Sequence, residues 1–343
     1  MQSKYSFLAL QLLVLLGVFP VIALLTPAQE AGLPYQNPAL PIAERVEDLL
    51  SRMTLQDKIG QMTLVERNSI VLEDITTYGI GALLSGGGGY PTPNDAATWL
   101  AMVNEYQDYA LQTRLGIPLL YGVDAVHGHN NLRGATIFPH NIGLGATGNA
   151  ELVEQIGRIT AIETAATGVY WNFAPVVAVP QDIRWGRTYE GYSENTELVI
   201  TLSTAYLRGL QGDDLTDPTT ILGTAKHFVA DGGTEWGTSF RYAIDQGLAT
   251  IDEATLRAIH LPPYSNAINN GALCVMISFS GWDNLRMHAQ RYLITDVLKG
   301  ELGFVGFVVS DWGGIDMVSA DYYESVVTAI NAALIFNLRK SRS

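Results

Sequence analysis

Asp311 ends an apolar run, Val308-Val309-Ser310-Asp311, and is followed by Trp312. A carboxylate delivered there can attack an electrophilic carbon, and the indole beside it can offer a flat apolar wall to the C–H face of a sugar ring. The same Asp could equally cap a following helix. Lys226 and His227 are adjacent in Thr224-Ala225-Lys226-His227-Phe228-Val229, another strand-like run. Burying a lysine costs several kcal/mol unless it is paired, so an anionic or hydroxylated group should meet it. A lysine snorkelling to solvent beside a hydrogen-bonded core histidine reads the same pattern without chemistry. Arg184-Trp185-Gly186-Arg187 places two guanidinium forks around an indole, and such forks bind hydroxyls or carboxylates. Asp124, His127 and His129 form the best metal candidate, but no H-E-x-x-H framework accompanies them. Imidazoles beside a glycine turn more often serve as hydrogen-bonding groups, and no metal is expected.

Gly143-Leu144-Gly145-Ala146-Thr147-Gly148 matches G-x-G-x-x-G, with Glu163 near the distance of a ribose-binding acid. The residues before it, Phe138-Pro139-His140-Asn141, make a poor strand, because Pro139 cannot donate to a ladder. A dinucleotide enzyme is therefore disfavoured, and no organic cofactor is expected. Composition narrows the classes further. Lys and Arg number 20 against 34 Asp and Glu, a formal charge of −14 that repels phosphate backbones, so nucleic acid is not an expected partner. A single cysteine, Cys274, excludes a disulfide framework and a thiolate metal cage within the chain.

The elements that must position these residues alternate. Residues 1–28 carry one charge, Lys4, then a nearly unbroken apolar run from Phe7 to Leu25, and read as an export signal. No stable membrane insertion is expected after its cleavage, and residues 29–43 read as a leader. Strand-like segments are expected at 79–84, 118–124, 169–176, 221–228, 272–279 and 306–311, with helical spacing between them. Continuously apolar strands separated by helices imply a parallel sheet covered on both faces. An open doubly wound sheet and a closed barrel both fit that order. Asp124, Asn172, Lys226, His227, Ser278 and Asp311 all fall at strand C-termini, and only a (β/α)8 TIM-like barrel gathers them at one mouth.

Taken together, GVDAVHG (122–128), FPHNIGLGAT (138–147), NFAPVV (172–177), RWGRTYEGYSE (184–194), KHFVADGGT (226–234) and VVSDW (308–312) resemble glycoside hydrolase family 3, the β-glucosidase and exo-β-glucanase family. The resemblance runs in family order from Glu44 to about Ala332. It implies that Asp311 is the nucleophile of a retaining double displacement. It further implies that Asp124, Arg187, Lys226 and His227 bind hydroxyls of the non-reducing glucosyl residue, and that Trp312 lines the neighbouring subsite. Such a reaction needs a second carboxyl about 5 Å away to protonate the leaving oxygen. Some members supply a His for this in the loop after Lys-His-Phe. Here Ala230 and Asp231 stand in that loop, which favours the glucosidase branch, whose acid Glu lies in a following α/β-sandwich domain. Phe279 stands where the family usually has a Tyr near the nucleophile, so a hydrogen bond to Asp311 is expected to be missing.

The resulting expectations are a barrel over residues 44–336, incomplete at its C-terminal strand, a basic tail over 337–343, and no sandwich domain within the 343 residues. The expected function is hydrolysis of terminal non-reducing β-D-glucosyl residues of β-glucosides or β-glucans in the periplasm or outside the cell, impaired for want of the acid. The alternative is a sugar-binding remnant, or one that depends on a separate chain to supply that domain. Loss of general acid catalysis is worth roughly 10²–10⁴-fold, so cellobiose should be a poor substrate while activated aryl glucosides remain open to attack. Cellobiose turnover at an ordinary rate, followed by glucose release, would contradict the missing acid.

Overall fold

The computed structural model describes residues 32–334 and 337–339. The chain separates into two units, Met1–Arg52 and Met53–Ser343. The expected signal lies outside the described residues. In the first unit a helix spans Ile42–Arg52, where Asp48 accepts from Arg52 Nε at 2.9 Å and from the Tyr35 backbone N–H at 3.1 Å.

The second unit is built on parallel strands: β1 Thr63–Glu66, β2 Ala82–Ser85, β3 Leu120–Val123, β4 Trp171–Asn172, β5 Ala225–Phe228, β6 Cys274–Ile277, β7 Phe307–Val309 and β8 Asn337–Arg339. Pairing joins β8-β1-β2-β3-β4 and, separately, β7-β6-β5. Isolated parallel bridges Trp171↔Leu222 and Val176↔Lys226 link the two sheets. Among the described residues no ladder joins β7 to β8, so the TIM-like barrel is not closed there. The six strands expected from sequence coincide with β2 to β7; β1 and β8 are additional, and β8 falls within the segment expected to be a tail.

Side chains along the strands alternate between two apolar environments. Leu64, Ala82, Leu84, Cys274, Met276 and Val309 meet Trp171 and Phe173 in one cluster inside the barrel. Their strand neighbours Val65, Leu83, Tyr121 and Val123 pack against Trp99, Val103 and Tyr106 of the helix Ala96–Leu111. Likewise Val275, Ile277 and Val308 pack with Tyr206, Leu207 and Leu210 of Thr196–Gln211. A strand apolar on both faces is what a barrel wrapped by helices requires, which is why these segments read as continuous hydrophobic runs. Because these strands pair in parallel, Glu66, Asp124, Lys226, His227 and Asp311 emerge on the same rim.

Gly122 shows how tight the interior is. A Cβ at this position would overlap Phe173 Cζ, so the glycine is what admits the ring. Gly122→Ala is expected to destabilise the fold by about 1–3 kcal/mol through overpacking. A thermal melt showing an unchanged midpoint would contradict this.

Candidate active site

Lys226 and His227 both reach the mouth although adjacent strand residues normally point to opposite faces. The β5–β6 register shifts between Lys226 and Phe228, which breaks the alternation at this point. Lys226, buried, donates from Nζ to Asp124 Oδ1 at 2.8 Å. The pair answers the requirement that a buried ammonium meet an anion. Asp124 itself stands half-exposed. Its loop is held from below: Asn172 accepts from Ala125 N–H at 2.9 Å through Oδ1 and donates to Ala125 O at 2.9 Å through Nδ2. Asn131 Nδ2 donates to Asp124 O at 2.9 Å.

His227 sits between two partners. Its Nδ1 is 2.8 Å from Asp231 Oδ2, and its Nε2 is 3.1 Å from Arg187 Nη2. Arginine can only donate, so Nε2 is the acceptor and Nδ1 carries the proton given to Asp231. Burial, with Arg187 and Lys226 adding to it, holds the imidazole well below its usual range, so His227 is neutral. It therefore cannot act as a proton donor from Nε2. Arg187 in turn grips Glu190 with Nε to Oε1 at 2.7 Å and Nη2 to Oε2 at 2.8 Å. Burial opposes the charge on Arg187, but this fork holds the guanidinium above its usual range. The same burial pushes Glu190 upward, and the fork overrides it, keeping the carboxylate ionised.

Asp311 lies just past β7. Its Oδ1 accepts from Trp312 N–H at 2.6 Å, and its own N–H donates to His288 Nε2 at 3.2 Å. Oδ2 is buried, has no hydrogen-bond partner, and lies 3.7 Å from His227 Nε2. Burial pushes this carboxyl up to about 6, against the pull of Arg187, the Trp312 N–H and Lys226. The arrangement leaves one buried carboxylate oxygen without a hydrogen bond, 3.7 Å from the unprotonated Nε2 of His227. Trp312 extends over Gly86, where a Cβ would lie 2.9 Å from Cη2 of the indole.

The structure thus brings Asp311, Lys226, Asp124, His227 and Arg187 into one connected cluster, with Trp312 at its edge. The other residues considered from sequence go elsewhere. Arg184 pairs with Asp182 and stacks 4.5 Å from the centroid of the Trp236 ring. His127 Nδ1 is 3.2 Å from Phe138 O, and His129 Nε2 is 3.3 Å from Thr167 Oγ1. Among the described residues no three His, Cys, Asp or Glu side chains are arranged to hold a metal. The G-x-G-x-x-G segment lies largely in the helix Asn141–Thr147, where a Cβ at Gly145 would strike Tyr192 O and Gly148 ends the helix at positive φ; these two glycines serve packing and capping. Glu163 accepts from Thr136 N–H at 2.9 Å. Phe279 lies beside His288, ring centroids 6.3 Å apart, and offers Asp311 no hydroxyl. Sequence reasoning does not single out Glu190, Asp231 or His288 as site residues. Glu190 is within its reach, since a strongly buried arginine needs a carboxylate partner.

Residues 54–341 match the family model described as the glycosyl hydrolase family 3 N terminal domain. The chain is 34% identical over 320 residues to a lysosomal beta glucosidase of Dictyostelium discoideum, covering 84% of this chain and 38% of that one. It is 30% identical to a periplasmic beta-glucosidase of Salmonella typhimurium, covering 90% and 39%. The crystal structure of an exo-1,3/1,4-beta-glucanase from a Pseudoalteromonas species superposes with a TM-score of 0.80 at 44% identity, covering 85% of this chain and 37% of that one. The chain therefore spans less than two fifths of the length of these relatives.

An ionised carboxylate kept in such surroundings weakens the fold. With the Asp311 value raised to about 6 from 3.8, its contribution to stability is intact below about 4 and is lost as pH rises through 6. Asp311→Asn should therefore melt higher than the wild type at pH 8, by up to about 3 kcal/mol, and the gap should close toward pH 4. A gap that widens on acidification would refute the raised value.

Proposed function

The chain belongs to glycosyl hydrolase family 3 through its N-terminal domain, and from that premise we propose that it acts on terminal β-D-glucosyl residues by a retaining double displacement with Asp311 as nucleophile. The observation that carries the reading is Asp311 Oδ2, buried and without a partner beside the Arg187–His227 contact. In the first step Oδ2 forms a bond to C1 as the C1–O glycosidic bond breaks, and the leaving oxygen takes a proton from a general acid. In the second step water attacks C1, its proton is removed, and the Asp311 carboxylate is released with the sugar. Asp124, Lys226, Arg187 and His227 are proposed to bind ring hydroxyls and hold C1 in line with Oδ2, and Trp312 to line the neighbouring subsite. No cofactor enters either step.

The carboxylates of the cluster are poorly suited to be the acid. Asp124 is tied to Lys226, Glu190 to Arg187, and Asp231 to His227 and the Gly232 N–H. Asp124 and Glu190 each face a cation, and Asp231, although burial pushes its carboxyl up to about 7, lies beneath His227 with both oxygens already accepting hydrogen bonds. We therefore assign the proton donor to protein outside the described residues, in keeping with the greater length of the relatives. Export is proposed on the apolar run Phe7–Leu25 and on the periplasmic relative; among the described residues no helix is long and apolar enough to cross a membrane.

An activated 2-deoxy-2-fluoro-β-glucoside, which needs no acid for departure, should label the Asp311 peptide in a digest analysed by mass spectrometry. Labelling should accelerate as pH rises through about 6, because only the ionised carboxylate attacks. Sugar binding without any labelled peptide would instead favour the non-catalytic, sugar-binding reading.

A further inference from the structure

We propose that His288 is a positioning residue for the nucleophile, its ring holding the Asp311 backbone so that Oδ2 is presented to the sugar carbon. The inference rests on the reading of Asp311 given above. β7 ends at Val309, so the Asp311 N–H lies beyond the parallel ladder. It donates instead to His288 Nε2 at 3.2 Å. The chain then turns around the imidazole: Gly314 N–H donates to Asp311 O at 3.0 Å, and a Cβ at Gly314 would overlap His288 Cε1. The glycine is what leaves room for the ring. His288 is itself fixed from the β6 side, since Met287 N–H donates to Ser280 O at 3.0 Å and the histidine is 1% exposed. Two strand ends are thereby locked together through one imidazole nitrogen.

That lock decides which oxygen is free. With the Asp311 backbone held, the next peptide N–H, that of Trp312, meets Oδ1 at 2.6 Å, and Oδ2 is left toward His227. Release of the Asp311 N–H would let the peptide rotate and the carboxylate trade its oxygens. Burial, aided by Arg286, holds His288 down at about 3, so it remains a neutral acceptor wherever Asp311 is ionised. Its Nε2 must therefore be unprotonated and its Nδ1 carry the hydrogen.

The test uses the full chain and the rate of covalent labelling of Asp311 by an activated 2-deoxy-2-fluoro-β-glucoside, separated into the binding constant and the first-order labelling constant. His288→Leu fills similar space without an acceptor, whereas His288→Gln can still accept from the Asp311 N–H. The leucine variant should label about ten- to hundredfold more slowly with binding within about twofold of wild type, as expected for a sub-ångström misplacement of the attacking atom. The glutamine variant should recover most of the rate. Gly314→Ala, which displaces the ring without touching its chemistry, should also slow labelling and guards against a leucine variant that fails to fold. Wild-type labelling in His288→Leu or in Gly314→Ala, or a glutamine variant as slow as the leucine one, would overturn the proposal. A wild-type chain that takes no label at Asp311 would remove the nucleophile reading, and this proposal with it.

Discussion

The pairing of buried charge at the barrel mouth is the constraint around which the rest is arranged. A lysine inside a barrel and an arginine beside it are tolerated only where anions meet them. Asp124 answers Lys226 and Glu190 answers Arg187. The neutral His227 then bridges Arg187 to Asp231, so that both of its ring nitrogens are used. Asp311 Oδ2 is the exception, and it lies among groups already committed elsewhere. Leaving an oxygen unpaired in such surroundings is unfavourable, and the penalty is visible as the upward displacement of the Asp311 carboxyl to about 6. In the role proposed for Asp311, a site that stabilised this oxygen fully would make it a worse nucleophile.

Asp231 illustrates two influences in opposition. Burial pushes its carboxyl up to about 7, against Arg187 and the Gly232 N–H. Yet Oδ1 accepts from the Gly232 N–H at 3.0 Å and Oδ2 from His227 Nδ1, so that each oxygen faces a donor. The bonding pattern is that of the carboxylate, because Arg187 can only donate to His227. The anion beneath the imidazole sets the tautomer, and the tautomer turns the Nε2 lone pair toward the arginine. The position where another branch of the family places a proton-donating histidine thus holds a group that works from underneath.

Most of the barrel was legible because buried parallel strands are apolar on both faces. The runs 118–124, 169–176 and 272–279 declare themselves in that way. β1 did not, because Thr63–Glu66 is four residues long, ends in Glu66, and follows the helix Leu55–Gln61 with no turn former between. β8 has Leu338 as its single apolar residue. The cluster was legible in Asp124, Lys226, His227 and Asp311, since strand-end polar residues converge in a barrel. Its supports were less so: Glu190 lies in a short 3-10 turn, and His288 in a segment between strands. Their partners are remote in sequence or set by backbone geometry, and neither shows in periodicity.

The same rim also explains why strand-end polarity alone is an ambiguous signal. Asn172, buried at the end of β4, uses its whole amide on the Ala125 backbone. Ser278, past β6, is 2.7 Å from Ser280 Oγ and accepts from its N–H at 2.9 Å. These residues satisfy peptide groups that leave the ladder, a task every barrel rim imposes wherever parallel pairing ends. Asp124 and Asp311 instead have their own backbone held by the side chains of Asn131 and His288, while Lys226 commits its ammonium to a charge. What separates the two sets is therefore who supports whom: the Asp124 and Asp311 carboxylates are carried on backbone that other side chains hold, whereas Asn172 and Ser278 spend their own polar atoms holding backbone.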